Sequence, residues 1–196
     1  MASIQGLIQM AEESAKPISV LILEQEAADS QIEQRILLDK MIHRVEIMRR
    51  SAQEGMSGRK SVSGLSGGLA KKFEMCYNKT KLLSDVSRNA MKIALAIAEH
   101  NASMGRIVAA PTAGSCGIVP GVLLAAGQEY GFSDEKIALA LFHCAGICGV
   151  IAENASIAGA QGGCQAECGS AAAMAASALT ELLGGSPQMC GKALAF

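Results

Sequence analysis

The sequence predicts a mostly α fold: a multi-helix globular domain with glycine-rich loops between its helices. Three observations carry this. Half of the residues are hydrophobic, yet only 3% are aromatic and none is Trp. A core built from such residues is aliphatic and rich in Ala and Met, which suits close helix packing better than a β-sandwich. Apolar residues also recur at helical spacing, as in the stripe Ile32, Ile36, Leu37, Met41, Val45 and Met48. Finally, residues 1–100 carry 26 charged side chains and 6 glycines, whereas residues 101–196 carry 9 and 15. Residues 1–56 therefore read as a solvated N-terminal helical layer and 57–196 as a Gly/Ala-rich interior. A chain of 196 residues is long enough to bury a real core as one domain.

Each element follows from local signals. "SIQGLIQMAEESAK" (3–16) is helical by period, with Ser3 as N-cap. Pro17 opens a second helical stretch that runs to Gly55 with a break near Ser30, and His43 falls on its polar side. Residues 56–68 are rich in Ser and Gly and read as irregular. "KKFEMCYNKTK" (71–81) is ambiguous between helix and short strand. A helix resumes at Ser84 and Asp85, which are cap candidates. "GRIVAAPTAGSCGIVPGVLLAAGQEYG" (105–131) reads as a short apolar segment, a glycine-rich turn and a helix ending at Gly131. Another capped helix starts at Ser133, and a further one runs from Cys164 to Leu183 and stops at Gly184-Gly185. Pro187 opens the last helix, whose apolar pattern continues to Phe196 without a stop signal. That reads as an element cut in the middle, so the C-terminal part is expected to be incomplete.

Composition excludes several classes. A net charge of −1 offers neither a nucleic-acid surface nor a polybasic membrane patch. Met1 to Met10 lacks the basic and apolar blocks of a secretory signal. The uncharged run Ile107 to Gln128 could span a bilayer by length, but Pro111, Pro120 and four glycines make it buried loop and helix instead. Seven cysteines, an odd number without a signal, point to a reducing cytoplasm rather than a disulfide scaffold.

Three glycine-rich loops precede helices or helix-like segments: "SGLSGG" (63–68), "APTAGSCGIVPG" (110–121) and "AGAQGGCQAE" (158–167). Backbone N–H groups at a helix start attract anions, and glycine lets the main chain approach closely, so a small carboxylate suits such loops. Taken singly, each also reads as a plain turn. None fits a Walker loop or a dinucleotide fingerprint. Cys144/Cys148 and Cys164/Cys168 each have i,i+4 spacing, which puts both thiols on one helical face. The chelate loop of a zinc site is absent. Cys76, Cys144, Cys148 and Cys190 read as small buried apolar side chains. Cys164 differs, because it follows Gly162-Gly163 at a helix start, where amides favour thiolate; Cys116, inside its loop, is intermediate. Nucleophilic hydrolysis fits poorly, since His100 and His143 lie on long helices without a serine nucleophile motif nearby. A pyridoxal phosphate lysine is lacking too, as neither Lys136 nor Lys192 sits in a fitting loop.

"LSGGLAKKF", "APTAGSCGIVPGVL" and "AENASIAGAQGGCQAECGSAAAMAA" closely resemble the α chain of the bacterial iron–sulfur-dependent L-serine dehydratases, also called L-serine ammonia-lyases. The likeness runs from the N-terminal helices to Phe196 and is dense over 100–190. It implies that 1–196 is an α-chain-like domain, with 57–196 its catalytic part, working with a β subunit or β domain in a homo- or hetero-oligomer. It also implies a [4Fe–4S] cluster that acts as a Lewis acid on the hydroxyl of serine, giving pyruvate and ammonia.

Carried over residue by residue, Cys164 matches the family's first cluster ligand. The other two ligands belong to motifs further along than Phe196, so this chain alone is expected to be inactive. Cys168 and Cys190 do not stand at ligand positions. Ser63, Gly67, Gly68, Thr112, Ala113, Gly114, Ser115 and Asn154 fall in segments expected to line the substrate site, and Lys71 is the candidate base or carboxylate partner. The small residues of 159–176 would leave room for the cluster and substrate, and 159–168 would be unstructured without metal. Related readings are a cysteine or threonine lyase on the same scaffold, and a non-catalytic helical module that binds only a partner.

Overall fold

The structure, a computed structural model, describes residues 3–77 and 83–195. Among them are nine helices and no strand: α1 Ile4–Ser14, α2 Ile18–Ser30, α3 Gln34–Gly55, α4 Leu69–Tyr77, α5 Asp85–Ala102, α6 Ile118–Tyr130, α7 Asp134–Asn154, α8 Gly159–Leu182 and α9 Pro187–Ala195. The ambiguous segment from Lys71 is helix as far as Tyr77; its residues 78–81, like Phe196, lie outside the described ones.

The expected caps form. Ser3, Ser84 and Ser133 accept hydrogen bonds from the amides of Gly6, Ser87 and Lys136, and Gly131 takes the left-handed conformation that ends α6 (φ 68). Two helix ends use left-handed residues that are not glycine, Ala15 (φ 53) and Gln31 (φ 55). Ala15 is followed closely by Pro17, which cannot continue a helix.

α7 is the central helix, packed against α2, α3, α6 and α8, while α5 lies against α3, α4 and α6. The core is aliphatic, as composition requires: Leu7, Ile18, Ile97, Leu123, Leu124, Ile137 and Ile147 are almost wholly buried, each worth about 1.5–3 kcal/mol of transfer free energy. By length and apolarity α7 is the one described helix that could cross a membrane, but half of its apolar window is covered by neighbouring helices. Close approach depends on missing side chains. A Cβ at Gly117 or Gly121 of the α6 start would run into the α5 backbone at Ala94 or Ala90.

Part of the small-residue tract has the same purpose. Ser170, Ala171, Met174, Ala175 and Ala178 are buried on α8, and Cys144 Sγ on α7 lies 3.5 Å from the Met174 carbonyl. From Ser170 onward, then, the residues are small because two helices press together, not to house a cofactor. The expectation that 159–168 lacks structure is also corrected: both sides of Gly163 are helical, and only Gly163 itself departs (φ 75, ψ 174).

A buried polar cluster ties α2, α7 and α8. The ring of His143, wholly buried, places Nε2 2.8 Å from Ser177 Oγ and Nδ1 3.1 Å from Glu181 Oε2, the latter off the line of a well-aligned hydrogen bond. The Glu181 carboxylate also accepts the first two amides of α2, Ile18 N at 2.7 Å and Ser19 N at 3.1 Å, so a side chain from α8 caps a helix that Pro17 leaves uncapped. Burial opposes ionisation of Glu181, but the His143 ring and the Ser19 amide outweigh it and hold the carboxyl below its ordinary value of 4.5.

A depressed carboxyl stabilises the fold above its unfolded value, and that stability is lost as pH falls through the folded value. Glu181→Ala is expected to cost about 3 kcal/mol near neutrality and to flatten the loss of stability that the unaltered chain shows below pH 4.5. Urea unfolding of both proteins across that range checks it; equal slopes with pH would refute the assignment.

Candidate functional site

The carboxyl end of α5 organises two of the three glycine-rich loops. Glu99 is 6% exposed, and its carboxylate accepts Leu69 N at 2.5 Å and Ala70 N at 3.3 Å. It thereby caps α4 just after Gly67 (φ 131) and Gly68 (φ 85). Two residues on, Asn101 Nδ2 donates to the Ala113 carbonyl at 2.9 Å. Between them the buried His100 ring packs so tightly over Gly105 that no Cβ could fit there, and its Nε2 lies 3.5 Å from Glu54. The apolar face of α5 stays in the core through Ile93, Ala96 and Ile97, and its last turn aims polar groups at loop backbone.

The 110–121 loop is a set of tight turns that starts at the cis peptide Ala110-Pro111. Thr112 Oγ1 and Ser115 Oγ are 3.2 Å apart, and Ser115, only 2% exposed, donates to the Ala110 carbonyl at 3.3 Å. Thr112 also donates to Glu167 Oε2 at 3.2 Å. That carboxylate occupies the space a Cβ would fill at both Gly114 and Gly159. The second and third loops therefore meet face to face around one acidic side chain.

Cys164 begins the straight part of α8 immediately after Gly163 and is exposed, so its thiol is not a core atom. Its Sγ lies 3.6 Å from Cys168 Sγ, and that contact, more than partial burial, pushes the Cys168 thiol up. The remaining cysteines divide. Burial pushes Cys116 up to about 11, Cys190 up to about 12 and Cys144 higher still, which keeps these thiols protonated. Cys148 is half-buried and packs against the core, in line with its apolar reading, whereas Cys76 on α4 is exposed, contrary to it.

The structure thus brings Thr112, Ala113, Gly114 and Ser115 to the Cys164 end of α8. Ser63, Gly67, Gly68 and Lys71 surround the start of α4, joined to the first group through Glu99 and Asn101. Ser63 closes its own turn with Ser61, Oγ to Oγ 3.2 Å. Lys71 is exposed, with its stem beside Gly58. Asn154 ends α7 and donates to the Val150 carbonyl at 2.8 Å; the next hydroxyl, Ser156, accepts the Ala158 amide and steadies the entry to α8.

Glu99, Asn101 and Glu167 were missed from sequence. Three polar residues, "EHN", closing an apolar helix before a glycine loop were the available signal for the first two. Glu167 stood in a motif read only for its cysteine. His43 is solvated as expected and pairs with Glu46 at 3.0 Å.

The fold does bring a serine from outside any nucleophile motif next to His143, and Ser177, His143 and Glu181 match a hydrolytic triad by residue type. Ser177 and His143 are both 0% exposed, however, so no substrate reaches them, and the cluster is structural. A metal centre is likewise incomplete: among the described residues no three His, Cys, Asp or Glu side chains are grouped to hold an ion. Cys164 and Cys168 alone do not fit a [4Fe–4S] cluster.

Replacing Glu99 with Ala is expected to cost about 2 kcal/mol, the worth of a charged group on buried amides. Faster hydrogen exchange at amides 67–72, with α7 amides unchanged relative to global stability, would be its signature. Uniform destabilisation without that local effect would count against Glu99 as the loop anchor.

Comparison of the sequence with known proteins points to one family. The chain is 38% identical over 195 residues to the probable L-serine dehydratase, alpha chain, of Bacillus subtilis, covering 99% of this chain and 65% of that one. With the L-serine dehydratase, alpha chain, of Peptoniphilus asaccharolyticus it shares 39% over 181 residues, 91% of this chain and 62% of the other. The L-serine dehydratase of Streptomyces coelicolor is 37% identical over 192 residues, 93% of this chain and 40% of its own. The chain thus spans just under two thirds of the α-chain relatives. Residues 13–196 match the sequence model of the serine dehydratase alpha chain, and the protein belongs to that family.

Proposed function

We propose that this chain is the α part of an L-serine ammonia-lyase, which converts L-serine to pyruvate and ammonia together with a β subunit or β domain. The observation that carries the reading is the junction of the 112–115 turn with the Cys164 helix start around Glu167. It occurs in a chain whose relatives are named L-serine dehydratases.

The chain's own groups suit an amino-acid ligand. Backbone amides in the 112–115 turn, open at Ala113 and Gly114, can receive a carboxylate. The Thr112 hydroxyl can bind it or shift from Glu167 to do so, and Glu167 would then be free to hold the substrate ammonium. Lys71, with Ser63, Gly67 and Gly68 on the loop that Glu99 fixes, would close over the other side as base or carboxylate partner. Asn154 would border the same space from the end of α7.

The resemblance implies a [4Fe–4S] cluster whose chemistry, when bound, is Lewis-acid activation of the serine hydroxyl. Cys164 would be one ligand, and the rest would come from outside the described residues.

Co-expressed with its β part and purified without oxygen, the enzyme should form pyruvate from serine faster than it processes threonine or cysteine. Thr112→Val should raise KM for serine about tenfold, the loss of roughly one hydrogen bond, with the fold intact by circular dichroism. These 196 residues alone should neither retain a cluster nor turn serine over. Preferred turnover of cysteine or threonine would move the assignment to a related lyase. A colourless, iron-free and inactive assembly would leave a partner-binding module.

A further inference from the structure

We infer that the cleft between α3, α5 and α6 binds a short aliphatic carboxylate, with its charge between Arg49 and Lys92 and its hydrocarbon on Ala52, Ile93 and Leu124. None of the residues assigned to the substrate site lines this cleft, so the inference is independent of the lyase reading.

The lining has two halves. Ile93 and Leu124 belong to the core, 6% and 1% exposed, and with Ala52 they make an apolar floor. Arg49 and Lys92 stand around it, and among the described residues no carboxylate lines the cleft with them. Their acidic partners lie outside it. Arg49 donates to Asp134 on α7 through Nε at 3.1 Å and Nη2 at 2.5 Å. These bonds fix the guanidinium, and its Nη1 keeps two donors for a ligand. Lys92 Nζ is 3.1 Å from Glu74, half of whose side chain is exposed. An ion pair so open to water is weak, and the ammonium can exchange it for a bound anion. Across the mouth, Asn89 donates to Gln128 at 2.5 Å and closes the rim between α5 and α6.

Two cations over an apolar floor select a molecule that carries both an anion and hydrocarbon. Inorganic phosphate would leave the floor uncovered, and a neutral hydrocarbon would leave the cations without a counter-charge. The volume of the cleft, 190 Å³, is below the roughly 300–1,000 Å³ of pockets for drug-sized ligands. At roughly 30 Å³ per water-sized group, it takes a carboxylate with a few carbon atoms.

The test is calorimetric titration of the full chain with 3-methylbutanoate, alongside its neutral isostere 3-methylbutanamide and inorganic phosphate. The carboxylate should bind once per chain, and the other two at least about tenfold more weakly, the worth of one hydrogen bond to a charged group. Lys92→Gln should lower affinity for the carboxylate by a similar factor. Ala52→Leu, which keeps both charges and fills the floor, should abolish binding, with circular dichroism confirming the fold. Lys192→Gln, on α9 and outside the lining, should leave affinity unchanged. Equal binding of the amide or of phosphate, or carboxylate binding that survives Lys92→Gln and Ala52→Leu, would overturn the site. Serine turnover plays no part in the readout, so this result and the lyase assignment can fail separately.

Discussion

The candidate substrate site depends on the carboxyl end of α5, where Glu99 and Asn101 hold loop backbone on either side of a buried histidine. Glycine-rich loops carry high conformational entropy and few side chains to pay it back. Their order has to be imposed from a rigid neighbour. The buried Glu99 carboxylate does this well because it accepts two otherwise unbonded helix-start amides in a place that water reaches poorly, where such bonds are stronger than on the surface. Asn101 fixes the second loop from the same turn, so the relative position of the two loops is set by a single helical pitch. α5 can serve as that reference because Gly117 and Gly121 let α6 lie directly against it.

The same device recurs elsewhere in the molecule. Glu181 reaches from α8 to the start of α2 as Glu99 reaches from α5 to the start of α4. In both cases a helix without its own capping side chain is pinned by a distant acid. The second instance also explains a constellation that looks chemical and is not. Ser177, His143 and Glu181 have the order of a hydrolytic triad, but complete burial of Ser177 and His143 keeps substrate from the pair that would act. What remains is a polar bolt through three helices. Sealed burial decides between the two readings more firmly than the distances do.

The helices were largely legible in the sequence because their signals are local. Ser3, Ser84 and Ser133 declare helix starts within four residues, Gly131 a stop, and Gly163-Cys164 the true beginning of the straight part of α8. Left-handed ends at Ala15 and Gln31 were not visible, since neither residue type demands that conformation. The site was legible only in part. Cys164 and the 112–115 turn carry glycine, threonine and cysteine in a pattern with chemical meaning. Glu99 and Glu167 are ordinary helical glutamates until a fold brings a helix start or a threonine to them, across 30 and 55 residues of sequence. Exposure of Cys76 was hidden for a similar reason: burial belongs to a face, and the face of a nine-residue helix depends on what it meets.

The tract 159–176 shows two uses of small residues meeting at one point. Beyond Ser170, Ala and Ser let α8 press against α7, and substitution there would force helices apart. Before it, glycines at 159 and 163 leave room for a carboxylate and a chain reversal, so a thiol can stand at a helix start in the open. Compositional bias alone cannot separate a packing surface from a cleft. Position along α8 can. From Ser170 onward the buried side chains face other helices; before it Glu167 faces the 110–121 loop and Cys164 faces solvent. Among the described residues of that stretch, Cys164, Cys168 and Glu167 are the side chains carrying sulfur or charge.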